Sequence, residues 1–233
     1  MTSETSEARG FEQQRYAPPA DAVEVVLVRH GASEAAVPGQ RFAMVDGQGD
    51  PALSGVGERQ ARSVAAALGG GSFSGIFAST LRRTQETAAP LAAVTGLEVT
   101  VLADLREVNL GELEGGEYRI KVAEGDPLVA EIGRQERWDV IPGAESPQRF
   151  SGRLKAAIAA IAAAVPAGTT AVAFVHGAVI GDLCALATGS RPFAFLNADN
   201  GSISSLVVHA DGSWLLRSFN ETRHLDTPTG PVG

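Results

Sequence analysis

Two stretches of the chain share one design, an apolar run that ends in histidine and glycine. The first is VVLVRHG at residues 25–31, and the second is AVAFVHG at residues 171–177. A continuous apolar run rich in β-branched residues is typical of a strand buried on both faces, as in a parallel sheet. Ligands bind beyond the carboxyl ends of such strands. If both strands belong to one sheet, His30 and His176 meet at one edge of it, with Arg29 beside them.

Strands alternate with helices along the rest of the chain. We predict strands at residues 23–29, 73–79, 97–102, 169–175, 202–209 and 213–219, and helices at 54–68, 79–94, 145–165 and 178–188, with two short helices between 117 and 138. Ser54 is the predicted N-cap of the first helix, and Ser79 or Thr80 that of the second. Residues 31–51 hold several glycines and no periodicity, which indicates a long loop. The alternation predicts an α/β fold of the layered type.

The length of 233 residues is enough for one generous hydrophobic core. We therefore expect a single domain over residues 22–225. The polar stretch 1–21 is expected to be a disordered arm, and residues 226–233 a loose tail. The polar N-terminus does not resemble a secretory signal.

Composition argues against several classes of protein. The net charge of −8 gives no sign of nucleic-acid binding, and no apolar run approaches the length of a membrane span. The single cysteine, Cys184, rules out an internal disulfide and is too little for a cysteine-based metal site. Its apolar surroundings predict a buried thiol. We expect a cytoplasmic protein with neither nucleic-acid nor membrane partners, either a monomer or a homodimer.

Charged residues follow several of the predicted strands. Arg29 precedes His30, the pair Arg82-Arg83 lies near the start of the second helix, and Arg106-Glu107 follows the strand that ends near residue 102. Strand ends of this kind share one edge in a layered α/β protein. Two arginines and two imidazoles around one pocket suit a phosphoryl group, because guanidinium groups pair bidentately with phosphate oxygens.

The same residues could carry out phosphoryl transfer. A neutral imidazole can attack phosphorus and form a phosphohistidine, provided that its other nitrogen is held, typically by a backbone carbonyl. The second imidazole, if protonated, would offset charge in the transition state. Glu107 is the candidate acid that protonates the leaving alkoxide. Because Glu107 must be protonated and His30 neutral, we expect a pH optimum on the acid side of neutral.

Five segments, in this order along the chain, resemble the histidine phosphatase superfamily, branch 1, which comprises the phosphoglycerate-mutase-like proteins. They are LVRHG at 27–31, DPALS at 50–54 with Gly57 and residues 60–61, residues 79–88 around Arg83, LRE at 105–107 followed by GELEG at 111–115, and VHG at 175–177. The resemblance extends from about residue 23 to 224. It implies a three-layer α/β/α sandwich with a mostly parallel central sheet.

The resemblance also implies roles for individual residues. His30 is the nucleophile, and Glu107 acts first as acid and then as base. Arg29, Arg83 and His176 bind the phosphate. Gly177 and Ser33 are further candidate substrate-binding residues, whereas Ala32, Ala35 and Ala36 replace acidic or amide residues that are frequent in the family after His30. No metal and no other cofactor is implied.

These residues leave more than one function open. We expect a phosphatase that hydrolyses a small-molecule phosphomonoester. Between Glu107 and the long helix, Arg119 and Lys121 are the only cationic residues that lie early in the segment. A phosphoglycerate mutase would need more cations there to hold a second acidic group, and it is the first alternative. A phospho-ligand binding protein without catalysis is the second. Substrate choice is expected to reside in the loop 32–51 and in residues 114–143.

Overall fold

A computed structural model describes residues 12–225, which are built around a six-stranded sheet. The strands are β1 Val23–Arg29, β2 Met44–Val45, β3 Gln48–Gly49, β4 Gly75–Ala78, β5 Val99–Val101, β6 Thr170–Val175, β7 Ile203–Val208 and β8 Trp214–Glu221. The central sheet has the order β5-β4-β6-β1-β7-β8, while β2 and β3 form a separate hairpin. Within this sheet, β7 runs in the opposite direction to the other five strands. The predicted mostly parallel sheet is confirmed.

Helices cover both faces of the sheet. They are α1 Gly55–Leu68, α2 Arg82–Thr95, α3 Glu117–Glu124, α4 Pro127–Gln135, α5 Pro147–Ala164 and α6 Gly177–Thr188. Side chains of β1 alternate between two cores, as the period of two along a strand requires. Val25 and Leu27 pack on the side of α5 and α6, whereas Val26 and Val28 pack on the side of α1 and α2. The three-layer α/β/α arrangement is thereby confirmed.

The register of three parallel strands determines where the polar residues meet. Arg29 of β1 lies opposite Val175 of β6, and Ala78 of β4 lies opposite Phe174. The three strands therefore end at the same edge of the sheet. The residues that follow them, including both histidines, leave the sheet side by side.

Most helix boundaries agree with the sequence-based predictions, and one cap does not. The hydroxyl of Ser54 accepts from the backbone N–H of Gly57 at 3.2 Å, which confirms the first predicted cap. The second prediction is wrong, because α2 has Leu81 as its N-cap with no side-chain hydrogen bond there. The Ser79 hydroxyl accepts from the N–H of Leu81 and lies beside His176 instead.

Three other segments refine the sequence-based assignment. The long loop 31–51 contains the short hairpin β2–β3, whose two-residue strands are too brief to show periodicity. Strand β8 continues to Glu221, two residues past its predicted end, because Glu221 pairs with Ile203. The two predicted short helices are α3 and α4, separated at Gly125, which ends α3 with a left-handed backbone (φ 69°).

The predicted disordered arm falls partly, and the loose tail wholly, outside residues 12–225. Residues 12–21 contain neither helix nor strand, and Arg217 lies over the Tyr16 ring at 4.0 Å. Cys184 is buried as predicted, and burial raises the pKa of its thiol to about 12. Among the described helices, none combines the length and apolarity needed to cross a membrane.

Candidate active site

His30 follows β1 directly and is held by the backbone around it. Its Nδ1 lies 2.8 Å from the carbonyl oxygen of Gly31. Because a carbonyl only accepts, this contact places the ring proton on Nδ1 and leaves the lone pair on Nε2. Arg83 Nε donates to that Nε2 at 3.2 Å. The ring is therefore in the tautomer that a nucleophilic Nε2 requires.

Gly31 is needed for this arrangement because the backbone of α1 comes very close. A Cβ at residue 31 would lie 2.5 Å from the carbonyl oxygen of Gly57. Heavy atoms do not approach this closely, so a side chain at residue 31 would push α1 away from the site.

His176 follows β6 and is completely buried beside His30. The two ring centroids are 5.1 Å apart with an interplanar angle of 64°. His176 Nε2 lies 2.8 Å from the hydroxyl of Ser79, whereas its buried Nδ1 has no hydrogen-bond partner among residues 12–225. Ser79 was missed as a site residue because its sequence position suggested a helix cap.

Arg83 lies in the first turn of α2, and its guanidinium is directed to the end of β1. Besides the bond to His30, its Nη1 donates to the carbonyl oxygen of Gly49 at 3.0 Å. The neighbouring Arg82 instead pairs with Glu86 and is exposed. The choice of Arg83 over Arg82, implied by the family resemblance, agrees with this geometry.

Arg29 approaches the same point from the end of β1. Its Nη1 donates to the carbonyl oxygen of Ala198, and its Nε is buried without a partner among residues 12–225. The guanidinium packs on Gly177, where an added Cβ would lie 3.3 Å from its central carbon. Gly177 thus makes room for Arg29, while Arg29 retains donor capacity for an anion.

Glu107 is fixed at the N-terminal end of α6. Its two carboxylate oxygens accept from the backbone N–H groups of Val108 at 3.0 Å and Ala178 at 3.1 Å. Its own carbonyl oxygen accepts from Gln48 and from Arg153 of α5, each at 2.8 Å. Gln48 and Arg153, which sequence reasoning did not single out, position the carboxylate.

These groups border one cavity of about 310 Å³. It is lined by Arg29, His30, Arg83, Glu107 and Gly177, together with Arg119 and several apolar side chains. His176 lies behind His30 and does not line the cavity. The structure therefore brings the predicted nucleophile, acid and two arginines to one opening, with the second histidine in contact behind them.

Ser33 occupies a different place from the other candidates. It does not line the cavity, and its hydroxyl accepts from Arg119 at 2.9 Å. Arg119 also donates to the carbonyl oxygen of Glu34 at 3.0 Å. Ser33 thus orients a third arginine at the cavity. The sequence identified Arg119 only as a cation after Glu107 and predicted no role for it in the site.

The charges and the burial together keep both imidazoles neutral. Burial lowers the pKa of His30 well below its usual range, and the charges of Arg83 and Arg29 lower it further. Burial, Arg83 and His30 do the same to the pKa of His176. Burial lowers the pKa of Arg83 to about 10, so its guanidinium stays charged at neutral pH. The unliganded site therefore holds neutral histidines beside cationic arginines.

We expect the buried histidines to make the free energy of unfolding depend on pH. Folded His30 and His176 stay neutral below pH 6.5, whereas unfolded histidines bind protons there, so the unfolded state takes up more protons. Stability should fall as the pH drops below about 6.5, by at most about 1.4 kcal/mol per pH unit for each histidine. Urea unfolding between pH 5 and 8 measures the slope. His30→Gln should flatten it and His209→Gln should not; equal slopes in all three proteins contradict the expectation.

Ser79 is expected to act as a positioning residue for His176. Ser79→Ala leaves Nε2 of His176 buried without a partner, which costs about 1–3 kcal/mol, and should shift the acid limb of the kcat/KM profile. Thr80→Ala is the matched control, because the Thr80 hydroxyl has no hydrogen-bond partner within residues 12–225. A profile that is unchanged in Ser79→Ala would show that the hydroxyl does not act on His176.

No group of three or more histidine, cysteine, aspartate or glutamate side chains suited to a metal ion occurs in the described part of the chain.

Comparison with known proteins places this chain in one class, that of the histidine phosphatases. The model of the histidine phosphatase superfamily, branch 1, matches residues 25–222. Over 212 residues the chain is 32% identical to the probable phosphoglycerate mutase GpmB of Yersinia enterocolitica, covering 88% of this chain and 96% of that protein.

Solved structures give the same result. A mycobacterial glucosyl-3-phosphoglycerate phosphatase is 28% identical with a TM-score of 0.69, covering 86% of this chain and 99% of its own. The phosphoglycerate mutase of Bacillus anthracis, at 24% identity, shares the fold with a TM-score of 0.73 over 88% of this chain and 96% of its own.

The chain belongs to the histidine phosphatase superfamily, branch 1. Relatives in this superfamily are named phosphatases and mutases, and the chain is an enzyme of this group.

Proposed function

We propose that the chain is a phosphomonoesterase that transfers the phosphoryl group first to His30 and then to water. The observation that carries the proposal is the geometry of His30, which lines the cavity with Nδ1 engaged by the Gly31 carbonyl and Nε2 beside Arg83. A neutral, oriented imidazole next to guanidinium groups is suited to attack a phosphate that those groups bind.

In the first step, the substrate phosphate binds between Arg29 and Arg83. The Arg83 guanidinium exchanges its hydrogen bond to His30 for hydrogen bonds to phosphate oxygens. Nε2 then attacks phosphorus, and the bond between phosphorus and the ester oxygen breaks. Glu107 gives its proton to the departing alkoxide. His176, whose ring packs against that of His30 outside the cavity, holds the nucleophile in place.

In the second step, the phosphohistidine is hydrolysed. The Glu107 carboxylate takes a proton from a water molecule, whose oxygen attacks phosphorus as the bond from His30 Nε2 to phosphorus breaks. Inorganic phosphate leaves, His30 regains its lone pair, and Glu107 is protonated again. The two steps consume one water molecule for each ester.

The distribution of cations favours hydrolysis over mutase activity. Of the two early cations after Glu107, only Arg119 lines the cavity, since Lys121 pairs with Asp126 at 2.6 Å outside it. A mutase must hold a second acidic group and retain a phosphorylated intermediate. The phosphatase name of the mycobacterial neighbour also supports hydrolysis.

A phosphoglycerate mutase is the second candidate, and the name of the Yersinia relative favours it. Incubation with 3-phosphoglycerate and with p-nitrophenyl phosphate, followed by separate assays of free phosphate and of 2-phosphoglycerate, distinguishes the two. We expect free phosphate from at least one monoester and no isomerisation. Isomerisation without phosphate release would establish the mutase instead.

Trapping the intermediate tests the proposed route. Quenching a labelled reaction in alkaline detergent preserves phosphohistidine, and peptide mapping should locate the label at His30. Vanadate binding without turnover and without label would indicate a phospho-ligand binding protein that has lost catalysis.

A further inference from the structure

The cavity has two chemically different parts. At one end lie Arg29, His30 and Arg83, which suit a phosphate. Another part of the wall is apolar and is formed by Phe42, Leu110, Leu113, Tyr118, Trp138 and Leu196, while Gln48, Glu107, Glu114, Arg119 and Asn197 supply polar groups around it. A small-molecule site of this composition binds the apolar body of a ligand, and its few polar groups orient it.

Five of the six side chains of the apolar wall belong to the protein core or pack on it, and Phe42 is the exception. Trp138 is buried, and its ring lies 5.7 Å from that of Tyr118 and 5.1 Å from that of Phe193. Leu110, Tyr118 and Leu196 pack on the core but are only partly buried. Because they also line the cavity, the surface that they leave uncovered is available to a ligand.

Two charged side chains beside this wall, Glu114 and Arg119, already make hydrogen bonds. The Glu114 carboxylate accepts from the backbone N–H groups of Gly49 and Leu110, each at 2.9 Å. Arg119 donates to oxygens of residues 33–34. Where a leaving group rich in hydroxyl or carboxylate groups lies against the apolar side chains, those groups stay unpaired, which is unfavourable.

We infer that the substrate is a phosphomonoester of an alcohol that carries an apolar ring, and that this ring packs against Leu110, Tyr118 and Trp138. The inference rests on the proposed phosphatase function and names the substrate class of the same cavity. The phosphate binds at the arginines, the ester oxygen lies near Glu107, and the ring occupies the apolar part.

Hydrolysis of three alkyl phosphates tests the inference: 2-phenylethyl phosphate, glycerol 3-phosphate and 3-phosphoglycerate. All three release an alkoxide, so differences in kcat/KM report on binding to the wall. We expect kcat/KM for 2-phenylethyl phosphate to be at least about tenfold higher, which is within the range for apolar pockets. Equal or higher values for either polar ester overturn the inference and leave the phosphatase standing. Failure of all three, and of p-nitrophenyl phosphate, overturns the proposed function and the inference with it.

Variants of the wall locate the ring. The two variants are Tyr118→Ser and a smaller change, Leu110→Asn. Each should lower, by about tenfold, the kcat/KM for 2-phenylethyl phosphate divided by the kcat/KM for glycerol 3-phosphate. Val122→Ser is the matched control, because Val122 lies on α3 like Tyr118 but is exposed and outside the cavity. A ratio that is unchanged in both wall variants shows that the ring does not bind there.

Discussion

Replacement of His30 by asparagine is expected to lower kcat/KM for every phosphomonoester by at least about 10⁴-fold, since loss of a nucleophile removes a route that the remaining residues cannot replace. Asparagine suits the test because its amide N–H can still donate to the Gly31 carbonyl, as Nδ1 does at 2.8 Å. The variant therefore keeps the local hydrogen bond and loses only the nitrogen beside Arg83. Steady-state phosphate release and trapping of the labelled intermediate measure the effect.

The control for His30 is a histidine far from the cavity. His209→Asn, at the end of β7, should retain the activity and the phosphohistidine of the unaltered enzyme. Circular dichroism and thermal unfolding verify that both variants are folded. If His30→Asn retains a tenth of the activity, or still yields labelled phosphohistidine, His30 is not the nucleophile.

Glu107→Gln should give the second large effect, and its size should depend on the leaving group. For an alkyl phosphate we expect kcat to fall by about 10²- to 10⁴-fold, the usual contribution of general acid catalysis. For p-nitrophenyl phosphate, whose leaving group needs no proton, the loss in the first step should be much smaller. Single-turnover formation of the phosphohistidine separates this step from hydrolysis, in which the carboxylate acts as base.

The Glu107 substitution also has a structural cost that must be measured. Both carboxylate oxygens accept a backbone N–H, and an amide can replace only one of them, so about 1–3 kcal/mol of stability should be lost. Glu112→Gln is the control, because Glu112 is exposed on the neighbouring turn. Equal losses for the alkyl and the p-nitrophenyl ester would refute the role as acid.

The lowered pKa of His30 bears on the expected acid pH optimum. Neutral His30 is required for attack, and a pKa held well below 6.5 keeps it neutral in mildly acid solution. The acid limb of kcat/KM should therefore lie below pH 6.5, which is compatible with the expectation drawn from the sequence.

The amino-acid sequence alone was enough to predict the framework of the site. The two apolar runs before His30 and His176 predict buried parallel strands, and parallel strands of one sheet end at the same edge. The observed register of Arg29 opposite Val175 then leaves the two histidines as neighbours. Local patterns of this kind are readable because burial on both faces demands a continuous apolar run.

Only the tertiary structure decided how this framework becomes a cavity. Ser79 sits beside His176, 97 residues away, and Arg119 bonds to Ser33, 86 residues away. Gln48 and Arg153 reach the carbonyl of Glu107 from a hairpin and from α5. The apolar wall likewise joins residues from several segments. Such contacts leave no periodic trace in the sequence, because they depend on which side chains the packed layers bring within reach of one another.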